Sequence, residues 1–185
     1  MTWGNATSGG DSSGVSSSLV GVRTIVSTAN AESAAFAALK FDGTVVAWGS
    51  ADAGGVIPFP ITPFLVDVRT LYSNAYSFAA VMQDNTVVTW GSPTQGGSFV
   101  CGGFVSRICN VVEIFSTNVA FAALERDGSV MTWGDPSAGG DSSSVDQDLF
   151  DVRTVFSTST AFAALKADGT VVTWGDDSSG ATRRP

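Results

Sequence analysis

The segment 161–175 reads Ala-Phe-Ala-Ala-Leu-Lys-Ala-Asp-Gly-Thr-Val-Val-Thr-Trp-Gly and predicts two short β-strands joined by a tight turn. Residues 161–166 are almost all apolar, whereas residues 170–174 are β-branched and aromatic, a composition that suits a pleated strand. Between them, Asp168-Gly169 is a pair that tolerates positive φ, as a two-residue hairpin turn requires. The chain is therefore predicted to be a repeat protein, because the same pattern occurs at 35–49, 77–91 and 120–134.

The Trp-Gly pair recurs along the whole chain, at spacings of 45, 42, 43 and 41 residues. A Gly-Gly pair follows most of these pairs after four residues, and an apolar strand opens each unit. We interpret residues 1–185 as a single repeat domain. Its parts are an N-terminal lone strand and connection, 1–21, and four units of about 43 residues each, 22–67, 68–110, 111–151 and 152–185.

Each unit is predicted to be a small antiparallel sheet of three or four short strands. No segment shows a 3.6-residue period over helix length, so the class is all-β. The Ala-Phe-Ala-Ala-Leu strand is apolar on both faces, which is typical of a sheet covered on each side. Units of 40 to 50 residues with this content predict blades of a β-propeller, in which one Phe of each unit packs between blades: Phe36, Phe78, Phe121 and Phe162.

The repeat Val-x-x-Val…Ala-Leu-x-x-Asp-Gly-x-Val-x-x-Trp-Gly resembles the RCC1-type repeat, which implies a β-propeller that usually has seven blades. The chain departs from that family where it usually carries Gly and, three residues later, His, because these places hold Thr158 and Ala161. It looks like a divergent variant with Phe-Ala-Ala-Leu and Gly-Gly-Asp-Ser-Ser motifs. About four blades leave three alternatives: a closed four-bladed ring, an open arc from a longer chain, or a ring that a partner completes. We favour an arc or partly closed propeller that a partner holds.

The composition excludes several functions. The chain has no histidine, so a Ser-His-Asp or Cys-His catalytic site cannot form within it. Its net charge of −8 argues against nucleic-acid binding, which needs basic patches. We expect no enzymatic activity, no metal and no cofactor. The first residues predict no signal peptide, and no apolar run is long enough to span a membrane, so a cytoplasmic or organellar location is expected.

Carboxylates and tryptophans recur at equivalent places in the repeats, which favours structural roles. Each Asp of the hairpin turns is interpreted as a turn residue rather than a catalytic acid. The tryptophans are interpreted as a structural layer rather than a stacking surface for sugars or bases. Asp and Ser in the connections are expected to cap turns rather than to bind Ca²⁺. The four turn aspartates are Asp42, Asp84, Asp127 and Asp168.

Two connections differ from the others because they are apolar. Residues 56–66 and 98–108 contain Phe, Ile, Val and Pro where the equivalent residues 11–21 and 141–151 are polar. We predict that these loops bind a protein partner, with peripheral membrane contact and simple cover of a blade edge as alternatives. The candidate contact residues are Phe59, Ile61, Phe64, Phe99, Val100, Phe104 and Ile108.

Cys101 and Cys109 lie in the second apolar connection, at a spacing that matches no zinc motif. A disulfide between them would close the loop locally, but we expect two reduced, partly buried thiols.

The most consistent function is a non-enzymatic protein-interaction or scaffold module. We expect an accessory subunit of a larger assembly, membrane-associated or organellar, such as a photosynthetic one. The resemblance to RCC1 implies an alternative, because members of that family include guanine-nucleotide exchange factors for small GTPases. A carbohydrate-binding or hydrolytic propeller is the other alternative.

Overall fold

The computed structural model describes residues 4–30, 33–98, 100–101 and 109–181. These residues form four antiparallel sheets, which we number as blades in chain order. Blade 1 contains β1 (Val22–Ala29), β2 (Ala34–Lys40) and β3 (Val45–Gly49). Blade 2 contains β4 (Val68–Ser73), β5 (Ser77–Met82), β6 (Val87–Gly91) and β7 (Val100–Cys101). Blade 3 contains β8 (Val111–Ser116), β9 (Ala120–Glu125) and β10 (Val130–Gly134), and blade 4 contains β11 (Val152–Ser157), β12 (Ala161–Lys166) and β13 (Val171–Gly175).

The helical content consists of short 3₁₀ turns in the connections. They begin and end at Ala6–Ser8, Ser13–Ser18, Ala51–Ala53, Thr62–Phe64, Pro93–Gln95, Pro136–Ala138, Asp146–Asp148 and Asp177–Ser179. None of the helices in the described ranges is long and apolar enough to cross a membrane. The all-β prediction is therefore confirmed.

The hairpin turn of each blade differs from the predicted one. In blade 4 the Lys166 amide donates to the Thr170 carbonyl and the Gly169 amide donates to the Lys166 carbonyl, so the loop has three residues rather than two. Only Gly169 has a positive φ, +87°, and Asp168 does not. The prediction of a two-residue turn is wrong because the Asp serves as an acceptor for the turn and needs no left-handed backbone.

The second strand of every blade pairs with a strand on each side and is apolar on both faces. In blade 3, all six residues of β9 are buried, and their side chains divide between the two neighbouring blade interfaces. Ala122 and Leu124 pack with blade 4, whereas Phe121 and Ala123 pack with blade 2. The core therefore consists of layers between blades, as the apolar pattern of this strand predicts.

The first strands of consecutive blades are in contact with one another. Each has a bulge at its second residue, for example between Val68 and Thr70. The bulged Arg69 donates from Nη2 to the Val111 carbonyl oxygen of blade 3 at 3.1 Å. Arg69 also donates to the Val112 carbonyl at 3.3 Å, and Arg23 makes the equivalent bond to the Arg69 carbonyl at 2.6 Å, so a side chain of one blade binds the first strand of the next.

The first and last blades each leave part of one face uncovered. Ile25 of β1 is 52% exposed, although the equivalent Leu71 and Ile114 are buried against the preceding blade. Phe36 is only half-buried, so the prediction of a buried Phe in every blade is confirmed for blades 2 to 4 and wrong for blade 1. Val171 of β13 is 59% exposed, although the equivalent Val87 is fully buried. The four blades therefore form an open arc.

Candidate partner-binding surface

The loop 56–66 contains apolar side chains of two kinds. Ile57 and Ile61 are half-buried against the core between blades 1 and 2, and Leu65 is fully part of it. Others point to solvent: Phe59 is 86% exposed and Phe64 45% exposed. The candidate Ile61 thus contributes to the cover of the blade interface, whereas Phe59 and Phe64 lie on the surface.

The polar connection 141–151 of the third unit shows which of these side chains the fold requires. Two of its three apolar residues, Val145 and Leu149, are buried at the interface of blades 3 and 4, at places equivalent to Ile61 and Leu65, whereas the third, Phe150, is 54% exposed. A connection that is polar in overall composition therefore still adds apolar side chains to the core. The fold uses two apolar anchors per connection, and Phe59 and Phe64 exceed that requirement.

The exposed residues of loop 56–66 are held on an ordered backbone. The Ile61 amide donates to the Pro58 carbonyl at 3.1 Å, and the Phe64 amide donates to the Ile61 carbonyl at 2.9 Å. The Thr62 hydroxyl donates to the same Pro58 carbonyl at 3.2 Å. A partner would thus meet a pre-formed surface, which lowers the entropy lost on binding. We call the exposed side chains Val56, Phe59, Phe64 and Val66 the loop patch.

The second apolar connection is described only at its start. Val100 and Cys101 form β7, a fourth strand that pairs with β6, with Val100 opposite Val88. The candidates Phe99, Phe104 and Ile108 lie outside the described residues. Their contact with a partner stays a prediction, as does that of Val100.

Cys109 differs from the expected reduced thiol. Its side chain is 1% exposed, and the residue is disulfide-bonded, so the expectation of two reduced thiols is wrong. Cys101 is the only other cysteine of the sequence. Its backbone lies opposite Val87, which packs in the same core cluster as Cys109. The spacing of eight residues could not reveal this proximity, because it depends on the pairing of β7. The Cys101–Cys109 link is the alternative at the level of the sequence and stays a hypothesis.

The turn aspartates are fully engaged with their own turns. Asp42 Oδ1 accepts from the Thr44 amide at 3.0 Å and from the Thr44 hydroxyl at 2.6 Å, and Asp84, Asp127 and Asp168 accept equivalent pairs. The hydrogen bonds from Thr44, aided by Lys40 at 3.1 Å, lower the pKa of Asp42 to about 2. Bonds from Thr86 and Thr170 likewise lower the pKa of Asp84 and Asp168. A general acid needs a raised pKa, whereas the pKa values of Asp42, Asp84 and Asp168 are lowered. These carboxylates therefore stabilise turns.

Acidic residues of the connections also cap turns. Asp141 accepts from the Ser143 amide and Asp176 from the Ser178 amide, each at 2.9 Å. Over the described ranges, no group of three or more His, Cys, Asp or Glu side chains could hold a metal ion. The arrangement of these residues therefore follows local turn chemistry.

The tryptophans form a buried layer between blades. Four of them are at most 7% exposed, and each stacks on the Phe opposite it in its blade, with ring centroids 5.2 to 5.4 Å apart. Each indole also donates to a glycine carbonyl of the preceding connection, as Trp90 does to Gly54 at 2.9 Å. The sequence pattern reveals the glycines and the tryptophans but not this bond, although their separation of 35 to 39 residues in every unit is its signal. The described tryptophans are Trp48, Trp90, Trp133 and Trp174.

Solved structures show where this arrangement occurs. Yeast RCC1 (Prp20), in a crystal structure bound to Kap60, is similar with a TM-score of 0.62 and 16% identity over 87% of this chain and 45% of that one. Prp20p from Saccharomyces cerevisiae, reported with its binding to Gsp1p and histones, gives 0.61 and 17% identity over 87% and 46%. Human WBSCR16 gives 0.54 and 18% identity over 83% and 47%. The chain thus spans about half the length of these structures.

The sequence comparisons found no such similarity. No protein-family model matches the chain. No curated protein is similar to it either. The fold is nevertheless that of an RCC1-like β-propeller, as the four antiparallel sheets and the similar solved structures show. The resemblance read from the Trp-Gly repeats is confirmed.

Proposed function

We propose that this chain is a non-enzymatic protein-interaction module that binds a protein partner through the loop patch, as an accessory subunit of a larger assembly. One observation carries the proposal. The loop 56–66 provides the two apolar anchors that the blade interface uses, and it then presents Phe59 and Phe64 to solvent beyond that need. Clusters of exposed apolar side chains on soluble proteins commonly mark interaction sites.

A protein fits this surface better than a lipid bilayer or nucleic acid. The chain carries a net charge of −8, which disfavours both anionic membranes and phosphate backbones. The patch presents two aromatic rings, Phe59 and Phe64, on an ordered turn that contains prolines, and aromatic anchors of this kind often contribute about 2 kcal/mol or more each to a protein interface. A lipid-bound state is therefore the alternative outcome of the test.

The test compares surface and anchor residues of the same loop. The double variant Phe59→Ser/Phe64→Ser should lose the partner that co-purifies with the native protein, while its thermal unfolding midpoint stays nearly unchanged. Phe41→Ser is the matched control, because Phe41 is 77% exposed on a different turn and should leave binding intact. Ile61→Ser should instead lower the midpoint, because Ile61 packs on the core.

A photo-crosslinking residue at position 59 then establishes direct contact. Covalent capture of one protein from the purified assembly, abolished by excess wild-type chain, supports the proposal. Retention of the partner by the double variant, or binding of the chain to vesicles of neutral and anionic phospholipid without a protein partner, contradicts it.

The alternative function is that of a regulator of a small GTPase. The observation that favours it is the similarity to Prp20p, which was reported with its binding to Gsp1p. Release of a fluorescent guanine nucleotide from Gsp1p should accelerate in the presence of this chain if the alternative is right. An unchanged release rate at saturating chain concentration rejects it.

A further inference from the structure

Consecutive blades are joined by one interface that recurs through the chain. The glycine of a connection lies against the Phe ring of the next blade, so a Cβ on Gly96 would be 2.7 Å from Phe121 Cδ2. The carbonyl of the same glycine accepts the Trp133 indole Nε1 at 3.2 Å. Gly54 and Gly139 make the same contacts with blades 2 and 4. All three of these glycines are buried.

The far face of blade 4 has the same parts without a neighbour. Gly180 has a φ of +102°, like its equivalents, but it is exposed, and a Cβ on it would meet no described atom within 4 Å. Val171 is 59% exposed where Val87 and Val130 are buried. Phe156 is 60% exposed, whereas the equivalent Phe115 packs against the core of the next blade.

Two polar groups of this face, the Gly169 carbonyl and the Arg153 guanidinium, also lack the hydrogen-bond partners that their equivalents have in the described part of the chain. The Gly128 carbonyl accepts the Val152 amide of the following blade at 2.9 Å, and Gly43 accepts Val68 in the same way. At the equivalent Gly169, no described backbone amide donates to the carbonyl. Arg153 occupies the place of Arg23 and Arg69, which bind carbonyls of the next blade, yet its exposed guanidinium has no acceptor in the part of the chain that the structure describes.

We propose that the far face of blade 4 binds a further RCC1-type blade through the same interface that joins blades 1 to 4. The partner blade must provide a Phe that packs on Gly180 and a Trp indole that donates to the Gly180 carbonyl. Its first strand must provide an amide that donates to the Gly169 carbonyl and carbonyls that accept from Arg153. The same interface occurs three times within the chain, between blades 1 and 2, 2 and 3, and 3 and 4, and these copies show which contacts the bound blade must make. The two yeast RCC1 structures are about twice as long as this chain, and that length is enough for further blades.

The unaltered chain is not the preferred occupant. The corresponding face of blade 1 carries Phe36 and Trp48, and the Trp48 indole already donates to the Gly9 carbonyl at 3.0 Å. A Cβ on Gly9 would be 2.6 Å from Phe36 Cδ2, so the N-terminal connection fills the place that Gly180 would need. A partner blade must therefore have an uncapped Trp.

The experiment supplies such a blade as a probe. The probe is residues 11–185, which lack the cap, with Phe156→Ser and Val171→Ser so that it cannot bind a further copy. Mixed with the full chain, it should form a 1:1 complex by light scattering, and the complex should protect the full chain's Phe156 region from hydrogen exchange. The full chain with Phe156→Ser/Val171→Ser should bind the probe at least tenfold more weakly. The full chain with Phe41→Ser should bind it normally.

A second arm avoids dependence on the folding of the probe. Residues 141–181 are appended after Ala181, so that a fifth blade follows in register. The extended chain should unfold at a higher temperature than the original, and Phe156→Ser should remove that gain. A folded probe that does not bind, or an extension that leaves both the midpoint and the exchange of β13 unchanged, overturns the proposal.

Discussion

The indole Nε1 of Trp90 lies 2.9 Å from the carbonyl oxygen of Gly54, and this hydrogen bond joins two consecutive blades. Trp90 is fully buried and Gly54 belongs to the preceding connection. The bond satisfies a backbone group that the blade interface removes from water. Because this bond recurs at every described tryptophan, its contribution to stability can be tested at one position.

Replacement of Trp90 by Phe should destabilise the fold. The substitution keeps an aromatic ring but leaves the Gly54 carbonyl without its donor, which costs about 1–3 kcal/mol of unfolding free energy for a buried group, and it also removes ring volume. Urea denaturation measures the loss as a lower midpoint with an unchanged slope. An unaltered midpoint would show that the bond contributes nothing.

Glycine-to-alanine substitutions separate backbone strain from steric conflict. Gly54 and Gly180 both have positive φ, +89° and +102°, so Ala at either costs about 1–2 kcal/mol. At Gly54 the new Cβ would also lie 2.7 Å from Phe78 Cδ2, which adds about 1–3 kcal/mol. We expect Gly54→Ala to unfold at clearly lower denaturant concentration than Gly180→Ala. Equal losses would mean that Phe78 moves aside without cost.

Truncation of the stacked phenylalanines should depend on their position in the arc. Phe121 is fully buried between blades 2 and 3, so Phe121→Ala should cost about 3–5 kcal/mol. Phe36→Ala should cost less, because Phe36 is only half-buried on blade 1. Chemical denaturation of both variants provides the comparison, and a larger loss at Phe36 would contradict the open arc.

Acid should weaken the hairpin turns in a defined pH range. The folded-state pKa of Asp42 is lowered to about 2 from an ordinary value of 3.8, so its contribution is present above pH 4 and is lost as pH falls towards 2. Asp84 and Asp168 shift in the same direction. Thermal unfolding between pH 7 and 2 should therefore show a falling midpoint only below about pH 4.

The Thr44 hydroxyl is the largest cause of the lowered Asp42 pKa. Thr44→Val should raise the Asp42 pKa towards its ordinary value, as carboxyl carbon NMR titration would show. The Asp168 pKa should stay where it is, because Asp168 pairs with Thr170 in another blade. A parallel shift at both carboxyls would indicate a global change rather than the loss of one hydrogen bond.

The disulfide of Cys109 should be detectable by mass. Without reductant, the unfolded chain should take up no alkylating reagent, because no free cysteine is present among the residues that the structure describes. Cys101→Ser should release one alkylatable thiol at Cys109 if the two residues form the bond. Uptake of reagent by the unreduced wild-type chain would contradict the disulfide.

Repetition allowed much of the fold to be predicted from the sequence. The strand 161–166 was predicted with the bounds that β12 has, because its apolar composition and the following Asp-Gly turn mark both ends. Contacts across blades were not predictable, since Trp90 meets Gly54 only after the chain turns to the next blade. The short strand β7 was missed for a related reason: two residues carry no periodicity, and pairing with β6 decides their conformation.

The candidate site was only partly predictable. The contrast between residues 56–66 and 141–151 identified an unusual loop, but composition could not separate anchors from surface residues. Ile61 and Phe59 are both apolar and two positions apart, yet one packs on the core and the other is exposed. The difference depends on the turn that begins at Pro58, whose carbonyl accepts two backbone amides.

The direction of the Trp-Gly bonds has a consequence for synthesis of the chain. Every described tryptophan donates to a glycine that precedes it, from Gly9 for Trp48 to Gly139 for Trp174. When the third strand of a blade leaves the ribosome, its capping glycine has already been translated. Blades can therefore be added one by one in the order of translation, and no finished blade waits for a capping residue that is still to be made.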